Sequence, residues 1–222
     1  MEKSSKKYKT ETHCHTLESS LKCGKLPAKE IVRRYVDAGY DTLVITDHYG
    51  GKHVSGDETR DLSTFFEGYN SAKTASQDIN IILGVEVNLC ESANDYLVYG
   101  ITEEIIRENP LMYTLPIKEF VDFAHQYDLL VYQAHPFRNG LKIIPPDICD
   151  GIEVFNAHFK HDSRNNIALE WAKMYGKKMI SGSDAHHPEA MAKSGILTDT
   201  KIKTTEDLMN VLRNDNFELI TY

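Results

Sequence analysis

The sequence predicts an α/β fold with a mostly parallel sheet closed into a barrel, and three observations carry that prediction. Seven apolar runs of strand length alternate with helical segments along 222 residues, the order that builds a parallel sheet through crossover helices. Residues able to hold a metal recur at or near the C-terminal ends of those runs. A closed barrel brings all such ends to one mouth, whereas an open doubly wound sheet would gather them from two or three strands only. No repeat, low-complexity tract or linker divides the chain, so one domain over residues 1–222 is expected.

The first run, Glu11-Thr-His-Cys-His-Thr16, holds two histidines two residues apart. Side chains at i and i+2 of a strand share a face, so His13 and His15 present two imidazoles to one point, with Cys14 turned to packing. A polar loop from Leu17 to Lys25 follows. Pro27 opens a helix over Ala28–Ala38, in which Ile31, Val32, Tyr35 and Val36 recur at helical spacing until Gly39 stops it. The second strand, Asp41–His48, runs directly into Asp47 and His48. After a Gly-, His- and Asp-rich loop from Tyr49 to Asp57 comes a helix over about Ser63–Ser76.

The third strand, Asn80–Asn88, carries Glu86 inside an apolar run, where an acid is seldom left unpaired. Asp95–Gly100 is the fourth strand, Glu103–Glu108 a short helix and Ile117–Tyr127 an amphipathic one. The fifth strand, Leu129–His135, ends in a histidine followed by Pro136, Phe137 and Arg138. Gly151–Asn156 is the sixth, with His158 and His161 just beyond it. A helix over Arg164–Tyr175 with Trp171 on its buried face precedes the seventh strand, Lys178–Gly182, which leads into Asp184 and His186. A helix near Thr205–Asn214 and a short strand over Phe217–Thr221 complete the chain.

A net charge of -8 argues against a surface built to neutralise a long phosphate backbone, so long nucleic acid is not an expected partner. A small phosphorylated molecule stays open, because bound cations reverse the local field. No apolar run approaches the roughly 18–20 residues of a membrane span. The charged start, Met1 to Lys7, has no apolar signal core behind it, and the four cysteines are scattered. Both features suit a cytoplasmic protein with free thiols. Nothing in the sequence sets an oligomeric state.

Ten histidines are more telling than the charge. Singly, each is most simply a surface or hydrogen-bonded residue. Together, His13, His15, His48, Glu86, His135, Asp184 and His186 supply five imidazoles and two carboxylates from five strand ends, more than one tetrahedral ion can use. A cluster of two or three divalent ions is the natural reading, with Glu86 able to bridge two of them.

The motifs Thr12-His-Cys-His-Thr16, Ile45-Thr-Asp-His48, Gly84-Val-Glu86, Ala134-His-Pro136 and Ser183-Asp-Ala-His186 resemble, in order, those of the PHP superfamily, named for polymerase-associated domains and histidinol phosphatases. The resemblance runs from Glu11 to about Ile196. It implies a distorted seven-stranded (β/α) barrel holding usually three divalent ions (Zn, Mn or Fe), used in most enzymatic members for phosphoester hydrolysis. It places His13, His15, Glu86 and Asp184 around a first metal, His48 and His186 at a second, and Glu86 and His135 at a third. Two departures stand out. Many members carry a histidine or aspartate where this chain has Leu21, with Glu18 or Cys23 as substitutes in the same loop. Many also open the fourth strand with histidine where this chain has Asp95, a change toward oxygen donors that favours Mn or Fe or weakens the third site.

Asp47 is expected to orient a neighbouring imidazole through a hydrogen bond. Arg138 either grips a phosphate or forms a surface salt bridge, and His158 is expected to touch substrate. His53, His125, His161 and His187 are read as surface residues. The expectation is a metal-dependent phosphoesterase cleaving a small phosphomonoester with a metal-activated water. The alternatives are a nuclease or amidohydrolase using the same water, or a metal-stabilised interaction domain without catalysis. No Gly-x-Ser-x-Gly, P-loop or dinucleotide fingerprint points to other chemistry.

Overall fold

The computed structural model describes residues 7–20, 23–51, 62–75 and 78–222. Among them are eleven strands and six helices: β1 (Tyr8–Glu11), α1 (Ala28–Asp37), β2 (Thr42–Ile45), β3 (His48–Tyr49), α2 (Leu62–Ala75), β4 (Asn80–Leu83), β5 (Val85–Asn88), β6 (Asp95–Tyr99), α3 (Glu103–Glu108), α4 (Ile117–Gln126), β7 (Leu130–Gln133), β8 (Gly151–Asn156), α5 (Asn165–Met174), β9 (Lys178–Gly182), β10 (Ser194–Thr198), α6 (Thr205–Asn214) and β11 (Glu218–Thr221). His53, Leu21, Ser76 and most of the 49–57 loop lie outside the described residues. No described helix is long and apolar enough to cross a membrane.

The strands pair as two sheets, β11-β10-β1-β2-β4 and β3-β5-β6-β7-β8-β9, so the ladders do not show one closed barrel. The expected second and third strands are each divided between these sheets. The division falls where Gly84 meets the Val44 and Thr46 side chains; a Cβ there would lie 2.9 Å from Val44 Cγ1. Pairing nevertheless resumes beyond it in the same register, Ile45 opposite Leu83 and then His48 opposite Glu86. On the other side, an isolated parallel bridge joins Cys14 to Ala185, past the ends of β1 and β9.

The mostly parallel expectation needs correction. β1–β2, β2–β4, β3–β5, β7–β8 and β8–β9 are parallel, but β6 runs antiparallel to both its neighbours. β10, which the sequence reading did not anticipate, runs antiparallel to β1 and β11. For β6 the reason is connection length. β5 and β6 are joined by a short turn through Ser92–Asn94 with no helix, and only a long crossover can return a strand in parallel.

Helices cover the sheets. Ala28, Ile31, Val32 and Tyr35 form the buried stripe of α1, packed with Leu43, Ile45 and Ala72. α4 and α2 cover β5 to β7 with Phe65, Phe66, Phe120 and Val121. α6 places Leu208 and Leu212 against Tyr99, Tyr132 and Ile180. Trp171 of α5 is half-buried and meets Phe137 edge-on at 5.8 Å.

Candidate metal centre

All seven residues singled out as metal ligands are buried and converge on one place, in three groups whose ligand atoms lie within 4.8 Å of one another: His15, His48 and His186; His13, His15 and Asp184; His13, Glu86 and His135. The two histidines of the first motif sit just past β1 rather than within it, yet they share a face as expected, with Nε2 atoms 3.0 Å apart. His48 and Glu86 are register partners on adjacent strands, which brings Nδ1 of one to 2.7 Å from Oε2 of the other. His135 and Asp184 lie just beyond β7 and β9 with positive φ, +28° and +50°. Backbone of this kind costs about 1–3 kcal/mol at a non-glycine residue and clusters at functional sites.

Glu86 is completely buried and divides its oxygens between imidazoles. Oε1 lies 3.2 Å from His13 Nε2 and 3.0 Å from His135 Nε2; Oε2 lies 3.4 Å from His15 Nε2 besides its contact with His48. Asp184 Oδ1 is 3.3 Å from His15 Nε2 and 3.1 Å from His186 Nδ1. Burial alone would raise both carboxyls. The facing imidazoles, with Arg138 beside Asp184, overcome it and hold both well below the usual carboxylate range. Burial and the neighbouring His186 push His15 down to about 3, so it stays neutral.

The donor set fits divalent cations. Despite their 2.7 Å approach, His48 Nδ1 and Glu86 Oε2 make no hydrogen bond to each other, and Oε2 is a buried acceptor that nothing satisfies among the described residues. Nitrogen and oxygen donors that converge this closely in a buried site are what ligands of a shared ion present. The ring nitrogens directed away from the centre are held in turn. Glu153 Oε1 takes the His13 Nδ1 proton at 2.8 Å. Ser20 Oγ lies 3.3 Å from His15 Nδ1 and donates at 2.7 Å to Asp47, and His186 Nδ1 donates to the Asp184 carbonyl at 3.0 Å. Such partners fix the tautomer and aim Nε2 inward.

Asp47 thus orients an imidazole as expected, but through Ser20 rather than directly. Glu18 is engaged elsewhere, its two oxygens each 3.0 Å from the Ala28 amide at the start of α1. Asp95 accepts from Asn88 Nδ2 at 3.0 Å and stands outside the three groups. Arg138 is no surface salt bridge. It is largely buried, with Nη2 2.7 Å from Asp184, 3.0 Å from Asn156 Oδ1 and 3.2 Å from Ser163 Oγ, while its buried Nε has no partner among the described residues. His158 is buried against His186, ring centroids 5.4 Å apart, and burial pushes it down to about 4.

Glu153 and Glu11 were missed in the sequence. Glu153 Oε2 also accepts from the His135 amide and Asn156 Nδ2. A bulge in β8 between Glu153 and Phe155 turns Glu153 and Asn156 to the same side. Glu11 accepts from the amides of Thr12, His13 and Ser183 and from the Tyr35 hydroxyl, tying together the two segments that carry His13 and Asp184. The signal for Glu153 was the one used for Glu86, an acid within an apolar strand.

Above these groups opens a cleft of about 380 Å³. Its floor includes His48, His135 and His186, and its rim Lys25, Lys160 and His187. His161 and His187, read as surface residues, belong to this lining; His125 is exposed and pairs with Asp150.

A family model described as the PHP domain matches residues 11–219. No match exists among curated protein sequences. Among solved structures, a two-domain protein from Bacteroides vulgatus, containing a predicted PHP-like metal-dependent phosphoesterase, superposes with TM-score 0.70 at 17% identity over 98% of this chain. This chain spans 65% of that protein. PsfC from Pseudomonas syringae matches with TM-score 0.68 and 18% identity, covering 91% of this chain and 88% of its own. A lesion-specific endonuclease from Pyrococcus furiosus gives 0.61 and 15%, covering 96% and 58%. At these identities the likeness is one of fold.

Proposed function

The chain belongs to the PHP domain family, and from that premise we propose that it is a metal-dependent phosphoesterase hydrolysing a small phosphomonoester. One observation carries the reading: the two oxygens of buried Glu86 face different imidazoles beneath a cleft rimmed by cations. His13 and His15 each have one nitrogen left to offer, since their Nδ1 atoms are engaged by Glu153 and Ser20. Sharing between ions therefore falls to the carboxylates, Glu86 first. When bound, two or three divalent ions (Zn, Mn or Fe) supply a water activated for attack and positive charge for the phosphoryl oxygens.

The chain's own residues do the rest. Glu153, Ser20 with Asp47, and the Asp184 carbonyl hold the imidazoles in register. Arg138 lines the cleft beside Asp184, and Asn156 and Ser163 hold its guanidinium where it can meet a phosphoryl oxygen. We read the seven segments around the centre as the walls of a distorted barrel. The unbroken register from β2–β4 into β3–β5 and the Cys14–Ala185 bridge support this reading.

The test is phosphate release from an aryl phosphate by purified protein, by chelated protein, and by chelated protein given Mn²⁺ or Zn²⁺. Release that chelation abolishes and a metal restores is the expected result. Release that survives full removal of metal would overturn the proposal. Metal-loaded protein that cleaves an oligonucleotide or an amide and no phosphomonoester would move the same centre to another substrate.

A further inference from the structure

We infer that Asn156 is a positioning residue that couples the phosphate grip of Arg138 to the metal centre. One end of its amide holds the guanidinium, and the other holds two carboxylates, Glu153 and Asp184, on which the metal ligands depend. The inference rests on the phosphoesterase reading for phosphate as the ligand, whereas the coupling itself is argued from the contacts around Asn156.

Asn156 ends β8 and is buried, 4% exposed. Asn165, the first residue of α5, fixes its backbone from both sides: the Asn156 amide donates to Asn165 Oδ1 at 3.0 Å, and Asn165 Nδ2 donates to the Asn156 carbonyl at 3.1 Å. The next amide, that of Ala157, donates to the Gly182 carbonyl at 3.0 Å and ties the same turn to the end of β9. A side chain seated this way has little freedom left to lose when its partners take up a ligand.

Only one orientation of the amide suits its surroundings. Oδ1 accepts from Arg138 Nη2 at 3.0 Å, from the His158 amide at 3.1 Å and from the Ser163 hydroxyl at 3.4 Å. Nδ2 donates to Glu153 Oε2 at 2.9 Å and to Asp184 Oδ2 at 3.3 Å. Reversing the amide would set its N–H groups against donors and its oxygen against two carboxylates. Among the described residues no other side chain touches Arg138, Glu153 and Asp184 together. The two carboxylates lead inward by separate routes. Glu153 Oε1 takes the His13 Nδ1 proton at 2.8 Å. Asp184, its Oδ2 held by Arg138 and Asn156, turns Oδ1 toward His15 and His186. Arg138 leads outward, lining the cleft with 16% of its side chain exposed. An uncharged amide fits between them because it serves a cation and two anions without adding charge to either. A phosphate that draws on the guanidinium therefore acts on the group that holds both carboxylates, and the linkage runs equally in reverse.

The test measures two affinities in four proteins: wild type, Asn156→Ala, Arg138→Ala and the double variant. Metal affinity is read by competition with a chromophoric chelator, and affinity for inorganic phosphate by calorimetry at saturating Mn²⁺. Asn156→Ala is expected to weaken metal binding by about 10–100-fold and phosphate binding by about tenfold, the worth of one hydrogen bond to a charged group. In the Arg138→Ala background the same substitution should still weaken metal binding but cost no further phosphate affinity, a non-additivity that a merely structural residue would not show. If Asn156→Ala fails to fold, Asn165→Ala, which keeps the Asn156 amide and removes its two backbone anchors, is read in the same two backgrounds with the same pattern expected. Four results would overturn the coupling: wild-type affinities in Asn156→Ala, loss of only one of the two, equal phosphate loss in both backgrounds, or metal-loaded wild type that binds no phosphate. Turnover of an aryl phosphate decides the phosphoesterase reading separately. The expected affinities without phosphate release would support the coupling and contradict that reading; release by wild type with additive affinities would do the reverse.

Discussion

At the scale of single residues, the centre depends on carboxylates that never face the cleft as much as on those that do. Glu153→Gln leaves size and burial unchanged but withdraws the negative charge beside His13 Nδ1. A loss of about 10–100-fold in metal affinity is expected, measured by competition with a chromophoric chelator; wild-type affinity would remove Glu153 from the account. Protons compete for the same atoms. Burial opposes charging of His186, but Asp184 outweighs it and raises the imidazole to about 10 in the metal-free chain. His13 is likewise raised, against burial, by Glu153, Glu86 and Asp184. Both therefore carry protons at pH 7 that metal must displace, so metal affinity falls as pH falls. Calorimetry in buffers of different ionisation enthalpy should find at least one proton released per chain at pH 7. The seven converging residues were legible in the sequence because each is a polar residue at or within an apolar run. Ser20 was not, since a hydroxyl in a polar loop carries no such signal, and Arg138's commitment to Asp184 depends on how two distant loops fold together.

At the scale of elements, close approach of strand ends sets the geometry. Gly182 ends β9, and a Cβ there would lie 2.4 Å from His13 Cβ and 2.6 Å from Glu153 Oε1. Gly182→Ala is expected to cost about 1–3 kcal/mol by overpacking and to lower bound metal, because the displaced atoms belong to the His13–Glu153 pair. Thr204→Ala is the matching control. Thr204 caps α6 by a reciprocal pair of bonds with Asp207, remote from the centre. Its loss should cost about 1 kcal/mol in denaturation and leave metal content unchanged; equal metal loss in both variants would make the Gly182 effect one of general stability. Helices were the readable elements: α1, α3 and α6 lie within a residue of their expected bounds, because apolar spacing and terminal Pro, Gly and Thr encode them locally. Strand direction is not encoded that way. The antiparallel course of β6 and the existence of β10, whose Ser194-Gly-Ile-Leu-Thr198 shows no clean alternation, depend on partners far along the chain.

At the scale of the molecule, an acidic chain gathers five imidazoles and two carboxylates in its interior and sets cations at the mouth above them. Polar groups in that number are costly to bury unless something satisfies them. Hydrogen bonds account for the outward nitrogens of His13, His15 and His186; inside, imidazole nitrogens crowd one another and the Glu86 oxygens, and Glu86 Oε2 has no hydrogen bond among the described residues. The account therefore stands on cations as the missing partners. The measurement that tests it most directly is elemental analysis of protein purified without chelator or metal-affinity column, alongside Glu86→Gln. Two or three divalent ions per chain, reduced by at least one in the variant, is the predicted result. A wild-type chain that binds no divalent ion when dialysed against Mn²⁺ or Zn²⁺, or a variant with unchanged stoichiometry, would contradict it.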